Sequence, residues 1–230
     1  MAVQIYRIKF GINSCYLIRD EGIIMIDGAP PNKLNKFQKF ISNLDFPPNN
    51  IRLIILTHGD FDHVGSARDI KFITGAKIAI HENDKNNFEN SIYNFPPGVN
   101  LWGRVSHLLS YPITKILLKS PGGKADIILD NSDYPLYEFG IRGKIIYTPG
   151  HTKGSVSVLL ETGEAFVGCL AHNNLPFRLK PGLPIFAEDI EEVRESWKII
   201  IQKGAKMIYP GHGDPFTVDV IKNILKIKIV

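Results

Sequence analysis

Four residues that can ligate a metal ion stand within positions 58–63 of the sequence: His58, Asp60, Asp62 and His63. They follow the apolar run 51–56, which gives the cluster the rigid base of a buried strand, and Gly59 lets alternate side chains converge. Imidazoles and carboxylates packed this closely repel or desolvate one another unless a cation holds them. The pattern predicts a metal site, and its alternative is a polar loop that happens to be rich in Asp and His.

Three further ligand-type residues follow, each directly after an apolar strand-like segment and beside a glycine: His151, Cys169 and His212. An H-x-H-x-D-H loop, a lone His, a lone Asp or Cys and a final His occur in this order in the metallo-β-lactamase superfamily. The chain resembles that superfamily over nearly its whole length. Segments 13–18 and 25–28 also resemble the opening strands and turn of the family. The resemblance implies a four-layer αββα sandwich, which belongs to the α/β class.

The resemblance also implies how the ligands divide between two metal positions. His58 and His151 match histidines of the first position, and Asp60 stands where most members have a third histidine. Asp62, His63 and His212 match the second position. Cys169 stands where many hydrolases of the family have an aspartate that bridges both metals. The alternative for Cys169 is a buried structural thiol, and for His151 and His212 it is a loop histidine held by backbone.

The two departures from the family pattern bear on the metal. Two histidines with the Asp60 carboxylate still form a catalytic zinc set, and this set suits iron or manganese better than three imidazoles would. The Cys169 thiolate is a soft ligand and favours zinc. We expect two zinc ions. Asp60, Asp62 and Cys169 supply three negative charges against the four positive charges of two divalent ions, and a bridging hydroxide would bring the centre to neutrality, so we expect a weaker Lewis acid than the usual centre of the family. Iron or manganese is the alternative.

The resulting functional prediction is a metal-dependent hydrolase in which metal-bound hydroxide attacks an ester, thioester, lactone or related acyl substrate. Glyoxalase II-like and lactamase-like reactions are cases within this class. Asp62 would orient the hydroxide and carry the proton. His172 lies three residues after Cys169, where cysteine-bearing lactamases place a substrate-gripping lysine, so it is a candidate substrate-binding residue; the alternative is a residue that only lines a pocket. Three other functions stay open: a phosphodiesterase, an iron-dependent redox enzyme, and a degenerate metal-binding protein without catalysis.

Apolar runs alternate with segments of helical spacing, which predicts two β/α halves in one domain of residues 1–230. Strands are expected at 5–10, 15–19, 22–27, 51–56, 77–80, 145–148, 155–160, 165–167 and 206–209. Helices are expected at 34–44, 64–74, 189–203 and 218–226. The stretch 87–124 does not fit this alternation, since it is apolar but broken by prolines and glycines. We expect it to be an irregular lid or substrate wall over the metal site, or else an extra helix pair or a dimer contact.

Composition sets the remaining expectations. The chain is 44% apolar with a net charge of only +4, and its lysines are scattered, which is typical of an ordinary globular protein without a nucleic-acid surface. Its first residues lack the pattern of a signal peptide, no stretch is apolar enough to cross a bilayer, and two cysteines make a disulfide framework unexpected. We therefore expect a cytoplasmic protein with a small-molecule substrate, no membrane or nucleic-acid partner, and a homodimer as a possible assembly.

Overall fold

The structure is a computed structural model that describes residues 2–92, 95–117 and 121–227. Its twelve strands are β1 Gln4–Phe10, β2 Asn13–Arg19, β3 Ile23–Ile26, β4 Ile51–Ile55, β5 Lys77–His81, β6 Ile127–Leu129, β7 Tyr134–Pro135, β8 Gly143–Tyr147, β9 Val156–Leu160, β10 Glu164–His172, β11 Met207–His212 and β12 Phe216–Thr217. The helices are α1 Leu34–Ile41, α2 Phe61–Val64, α3 Ala67–Thr74, α4 Glu82–Glu89, α5 Leu101–Leu117, α6 Ile190–Gln202 and α7 Asp219–Ile224. Short 3-10 turns occupy Pro48–Asn50 and Tyr137–Phe139.

Ten of these strands form a hydrogen-bonded path in the order β6-β5-β4-β3-β2-β11-β10-β9-β8-β7, and off this path β1 pairs with β2 and β12 pairs with β11. β3, β4, β5 and β6 run parallel, and so do β10 and β11. The two halves join where β2 meets β11, with His212 opposite Asn13 in antiparallel pairing. This junction brings the carboxyl ends of the parallel strands of both halves to the same edge, which is where ligands bind in open α/β sheets.

Three apolar clusters define the layers. One packs α1 and α3 on the first half of the sheet through Phe37, Ile41 and Ile70. The second lies between the two sheet halves and includes Tyr16 and Phe166. The third packs α6 and α7 on the second half, around the buried Trp197, whose indole donates to Leu170 O at 2.9 Å. Helix, sheet, sheet and helix are the four layers that the resemblance implied, so the fold prediction is confirmed.

Local predictions differ from the structure at several places. The helix expected at 64–74 begins only at Ala67, as α3, and a separate single turn, α2, precedes it and ends at Val64. The strand expected at 165–167 continues as β10 to His172, because pairing with β11 resumes after two irregularities. The strands β6, β7 and β12 and the helix α4 were not predicted; the three strands are only two or three residues long.

The stretch 87–124 is irregular only in part among its described residues, since 90–92, 95–100 and 121–124 lie outside helices and strands. It holds the end of α4 and the 17-residue helix α5, which contains Pro112. Residues 93–94 and 118–120 of that stretch lie outside the described residues. None of the helices described here has the length and apolar character needed to span a membrane.

Candidate metal centre

The seven predicted ligands meet at the sheet edge where the two halves join. His58 follows β4, Cys169 lies on β10 and His212 ends β11. Asp62 and His63 lie on the single turn of α2 rather than in an open loop, with Asp60 directly before it.

Two groups of three ligand atoms share the Cys169 sulfur. His58, His151 and Cys169 form one group, and His63, His212 and Cys169 form the other; within each group all ligand atoms lie within 4.8 Å of one another. All five residues are buried. The thiol thus occupies the position common to both groups, as a shared ligand would.

A carboxylate approaches each group. Asp60 Oδ2 lies 3.1 Å from His151 Nε2 and 3.6 Å from His58 Nε2. Asp62 Oδ2 lies 3.4 Å from His212 Nε2 and 3.8 Å from His63 Nε2. Each half of the site therefore offers two imidazoles, one carboxylate and a share of the thiol.

The four histidines are oriented by their outer nitrogens. Nδ1 of His63 lies 2.8 Å from Asp27 Oδ2, and Nδ1 of His58 lies 2.9 Å from Thr57 Oγ1. Nδ1 of His151 lies 2.9 Å from the Phe186 carbonyl oxygen, and that of His212 lies 3.2 Å from the Ile12 carbonyl oxygen. Since each partner accepts a hydrogen bond from Nδ1–H, each Nε2 directs its lone pair inward, as metal-ligating histidines do.

These inward nitrogens need a cation. Nε2 of His63 and Nε2 of His212 are 3.2 Å apart, so with both outer nitrogens protonated two lone pairs face each other. His58 Nε2 and Asp60 Oδ1 are buried polar atoms without a hydrogen-bond partner. Such atoms are costly in a protein interior unless an ion satisfies them.

Charge in the cluster favours a cation as well. Burial opposes ionisation of Cys169, but the imidazoles around it, led by that of His63, hold the pKa of the thiol well below its ordinary value. Burial likewise opposes protonation of His212, yet Cys169 and Asp62 raise its pKa to about 9. The pKa of His151 is raised well above its ordinary value by Cys169 and Asp60 against the effect of burial. A buried thiolate with two carboxylates attracts positive charge, whether a proton or a metal ion supplies it.

A β-bulge aims Cys169 at the site. The register of β10 against β11 shifts on both sides of Gly168, whose φ is +52°. A Cβ at Gly168 would lie 2.4 Å from Thr57 Oγ1, so only glycine allows β10 to approach the end of β4 this closely. Bulges next to active sites commonly redirect a side chain in this way.

Sequence reasoning missed two buried carboxylates that position ligands. Asp27 accepts hydrogen bonds from the backbone N–H and hydroxyl of Thr57 at 2.8 and 2.9 Å, as well as contacting His63. Asp84 Oδ2 accepts from Gly59 N at 2.8 Å and Thr152 Oγ1 at 2.7 Å, which ties together the two loops that carry His58, Asp60 and His151. Both aspartates lie at or just beyond the carboxyl end of a parallel strand, and this shared position was the signal available in the sequence.

His172 lies in the wall beside the centre. Its Nδ1 accepts a hydrogen bond from Ile185 N at 3.4 Å, which leaves the proton on the buried, unpartnered Nε2. Burial lowers the pKa of His172 to about 4, so the ring is neutral near pH 7. A neutral ring cannot grip a substrate carboxylate as a cation would, but it can donate one hydrogen bond. The role of His172 as a substrate-binding residue stays a prediction.

A cavity of about 380 Å³ opens onto the centre. Asp60, Asp62, His151, Cys169 and His212 form its floor, and α5 forms one wall. Phe95 and α5, both within the stretch predicted as a lid or substrate wall, thus line the cavity that holds the ligands.

Comparison with known proteins agrees with this architecture. The sequence model of the metallo-beta-lactamase superfamily matches residues 8–212. The chain belongs to the metallo-β-lactamase superfamily, whose members are mostly hydrolases.

Three similar proteins illustrate the relationship. An uncharacterised protein of Mycobacterium leprae is 25% identical over 210 residues, which covers 89% of this chain and 88% of that protein. The metallo-beta-lactamase domain-containing protein 1 of Xenopus laevis is 26% identical over 208 residues, 89% of this chain and 72% of that protein. An archaeal metallo-beta-lactamase superfamily protein from Sulfolobus tokodaii has the same fold, with a TM-score of 0.68, 22% identity, and coverage of 96% of this chain and 84% of that one.

The donor set fits zinc. Imidazole nitrogen, thiolate sulfur and carboxylate oxygen are the ligand types that zinc takes in proteins, and the outer contacts that orient them are in place. The second half of the set, with His63, His212 and Asp62, has the same composition as the first. Each set can therefore hold one divalent ion.

Proposed function

We propose that this protein is a metal-dependent hydrolase with a binuclear zinc centre that acts on an ester, thioester, lactone or related small acyl substrate. One observation supports it most: four Nε2 atoms, each oriented through its own Nδ1, converge on the single sulfur of Cys169. Zinc ions bound there would supply a Lewis acid and an acidic coordinated water.

The protein residues then have distinct tasks. His58, Asp60 and His151 would hold one ion, His63, Asp62 and His212 the other, and Cys169 would contact both. Asp62 faces the cavity, and Asn13 Nδ2 donates to its Oδ2 at 2.8 Å. Burial opposes its ionisation, but His63 and His212 hold its pKa below the ordinary value, so Asp62 is an ionised carboxylate near neutral pH. We assign it the role of proton carrier.

Metal content per chain tests the centre directly. Protein purified without chelator should contain roughly two zinc ions per chain by elemental analysis. Asp60→Ala and Cys169→Ala should each lower this number. Cys15→Ala is the matched control, because Cys15 is also buried but belongs to neither ligand group.

The outcomes separate the alternatives. Iron or manganese in place of zinc would favour the other metals that Asp60 suits, and absence of any metal would contradict the proposal. Metal without hydrolysis of a broad ester, lactone and phosphodiester panel would favour a non-catalytic metal-binding protein. Turnover that is lost on chelation and restored by zinc would support the hydrolase.

We also propose that the protein is cytoplasmic and forms a homodimer. A reducing cytoplasm would keep Cys15 and Cys169 as thiols, and the structure pairs neither in a disulfide. Exposed apolar side chains on α5, such as Leu101 and Leu108, support a homodimer. Light scattering of the purified protein would distinguish a dimer from a monomer.

A further inference from the structure

The wall of the cavity above the centre is apolar and aromatic. Phe95, Trp102, Phe177, Ile185 and Phe186 contribute to it. The cavity has a volume of about 380 Å³, which lies within the range of small-molecule sites, roughly 300–1,000 Å³. A cavity with an apolar wall favours binding of an apolar part of the substrate.

No lysine or arginine lines this space among the described residues. Arg178 directly follows Phe177, a residue of the cavity wall, but its guanidinium donates to the carbonyl oxygens of Lys180 and Leu183. A substrate carboxylate or phosphate held away from the metal floor would therefore lose water without gaining a charged partner, which is strongly unfavourable.

The polar residues of α5 do not change this character. Ser106, Ser110 and Thr114 line the cavity at a spacing of one helical turn. Ser110 Oγ donates to the Ser106 carbonyl oxygen at 2.6 Å, and Thr114 Oγ1 donates to the Ser110 carbonyl oxygen at 2.9 Å. Because the Ser110 and Thr114 hydroxyl protons are used within the helix, these two side chains offer little to bind an anion.

The wall is anchored rather than loose. Val99 N donates to Ile185 O at 2.9 Å, and Trp102 Nε1 donates to Pro176 O at 3.1 Å. A Cβ at Gly103 would lie 2.2 Å from Ile185 O, so the backbone at the start of α5 is in direct contact with the backbone of Ile185. The cavity is thus formed before substrate arrives.

We propose that the substrate is an uncharged ester or lactone whose apolar acyl group lies in this cavity against α5. The inference rests on the proposed function and narrows it. In the reaction the water oxygen bonds to the acyl carbon, the acyl C–O bond breaks, and the leaving alcohol oxygen takes a proton from that water. Water is the only co-reactant, and no oxidant is required.

Binding can be measured apart from turnover. Trp102 lines the cavity, whereas Trp197, the second tryptophan of the chain, is buried in the core. Titrating the metal-loaded protein with acetamide, butanamide and hexanamide should change Trp102 fluorescence. Affinity should rise about fourfold per methylene, the equivalent of about 0.8 kcal/mol. Ser110→Phe should abolish the hexanamide response, and Leu109→Phe, on the neighbouring exposed residue, should leave it unchanged.

Charge preference is tested with two esters of equal chain length. p-Nitrophenyl hexanoate should be hydrolysed at least about a hundredfold faster than mono-p-nitrophenyl adipate, which ends in a carboxylate that would be buried unpaired. Ser110→Lys should narrow this ratio at least tenfold, and Leu109→Lys should not. This second pair keeps the test valid if Ser110→Phe fails to fold.

The two proposals fail in different ways. Hydrolysis of both esters at equal rates, or amide affinity independent of chain length, would overturn the inference while leaving a hydrolase. Chain-length-dependent amide binding without hydrolysis of any ester would support the apolar cavity and overturn the proposed function.

Discussion

At the scale of single residues, the sequence singled out ligand-type side chains that the structure brings together, but not the carboxylates that orient them. His58, Asp60 and Asp62 stand at alternate positions just after an apolar run, so residue type and spacing were enough to single them out. Asp84 lies 24 positions after Asp60, and only the parallel pairing of β4 with β5 brings it beside Gly59. No periodicity in the sequence encodes that contact.

Asp84→Ala should weaken zinc binding by about 10–100-fold, the usual cost of losing a group that orients metal ligands. The substitution leaves Gly59 N and Thr152 Oγ1 without their acceptor, so the two loops of the first ligand group lose their common support. Competition with a chromophoric chelator measures the affinity. Glu82→Ala, on the exposed side of the same helix, is the control and should bind zinc like the unmodified protein.

The ion pair of Asp20 with Arg142 predicts a pH-dependent contribution to stability. Arg142 donates to both carboxylate oxygens at 2.8 Å and holds the pKa of Asp20 below its ordinary value. Because the folded pKa is the lower one, the stabilisation is complete above about pH 5, beyond the unfolded value of about 3.9, and is lost as pH falls through the folded pKa.

Asp20→Asn should therefore lower the free energy of unfolding at pH 7 by about 1–3 kcal/mol, as for hydrogen bonds to charged groups. The difference between the two proteins should shrink toward pH 3, as measured by urea unfolding. Glu21→Gln, at the neighbouring exposed position, is the control. A difference that is constant with pH would contradict the assignment.

At the scale of elements, the sequence predicted long segments with regular periodicity well, but not segments interrupted by glycine or proline. The strands at 15–19 and 51–56 and the helix at 189–203 were predicted within a few residues of β2, β4 and α6. α5 was missed because Gly103 and Pro112 resemble breaks in a helical pattern. The bulge at Gly168 could not be predicted from the sequence either, because it depends on a close approach to Thr57, which is distant in the chain.

Gly103→Ala tests the attachment of α5. The new Cβ would meet Ile185 O at 2.2 Å, a backbone atom that cannot move aside cheaply, so the helix must shift at a cost of about 1–3 kcal/mol. We expect a lower melting temperature and a raised KM for apolar esters, with metal content unchanged. Arg104→Ala, on the next and exposed residue, should alter none of these. Loss of metal in Gly103→Ala would mean that α5 supports the ligands themselves.

At the scale of the whole molecule, the buried polar cluster lies where the two halves of the sheet meet. His212 of β11 pairs with Asn13 of β2 at this junction, and His63 reaches Cys169 from the other half at 3.2 Å. Ions bound here would link both halves. We therefore expect metal to stabilise the entire fold rather than one loop.

Zinc should raise the melting temperature of chelator-treated protein. At a free concentration one hundred times the Kd, mass action contributes about 2.7 kcal/mol. For a chain of this size that corresponds to roughly 5–10 °C, at about 2–4 °C per kcal/mol. Differential scanning calorimetry with and without zinc measures the shift. Cys169→Ala should show a smaller shift, and an unchanged melting temperature in the unmodified protein would contradict a metal centre.

The separate origin of floor and wall has a consequence for inheritance. The ligands come from the strand ends and the loops that follow them, whereas α5 contributes side chains to the cavity and none to either ligand group. Mutations that accumulate in α5 can change which molecules are accepted while the reactive centre descends unaltered. Related proteins that inherit the same metal ligands can therefore differ in substrate specificity through changes in this one helix.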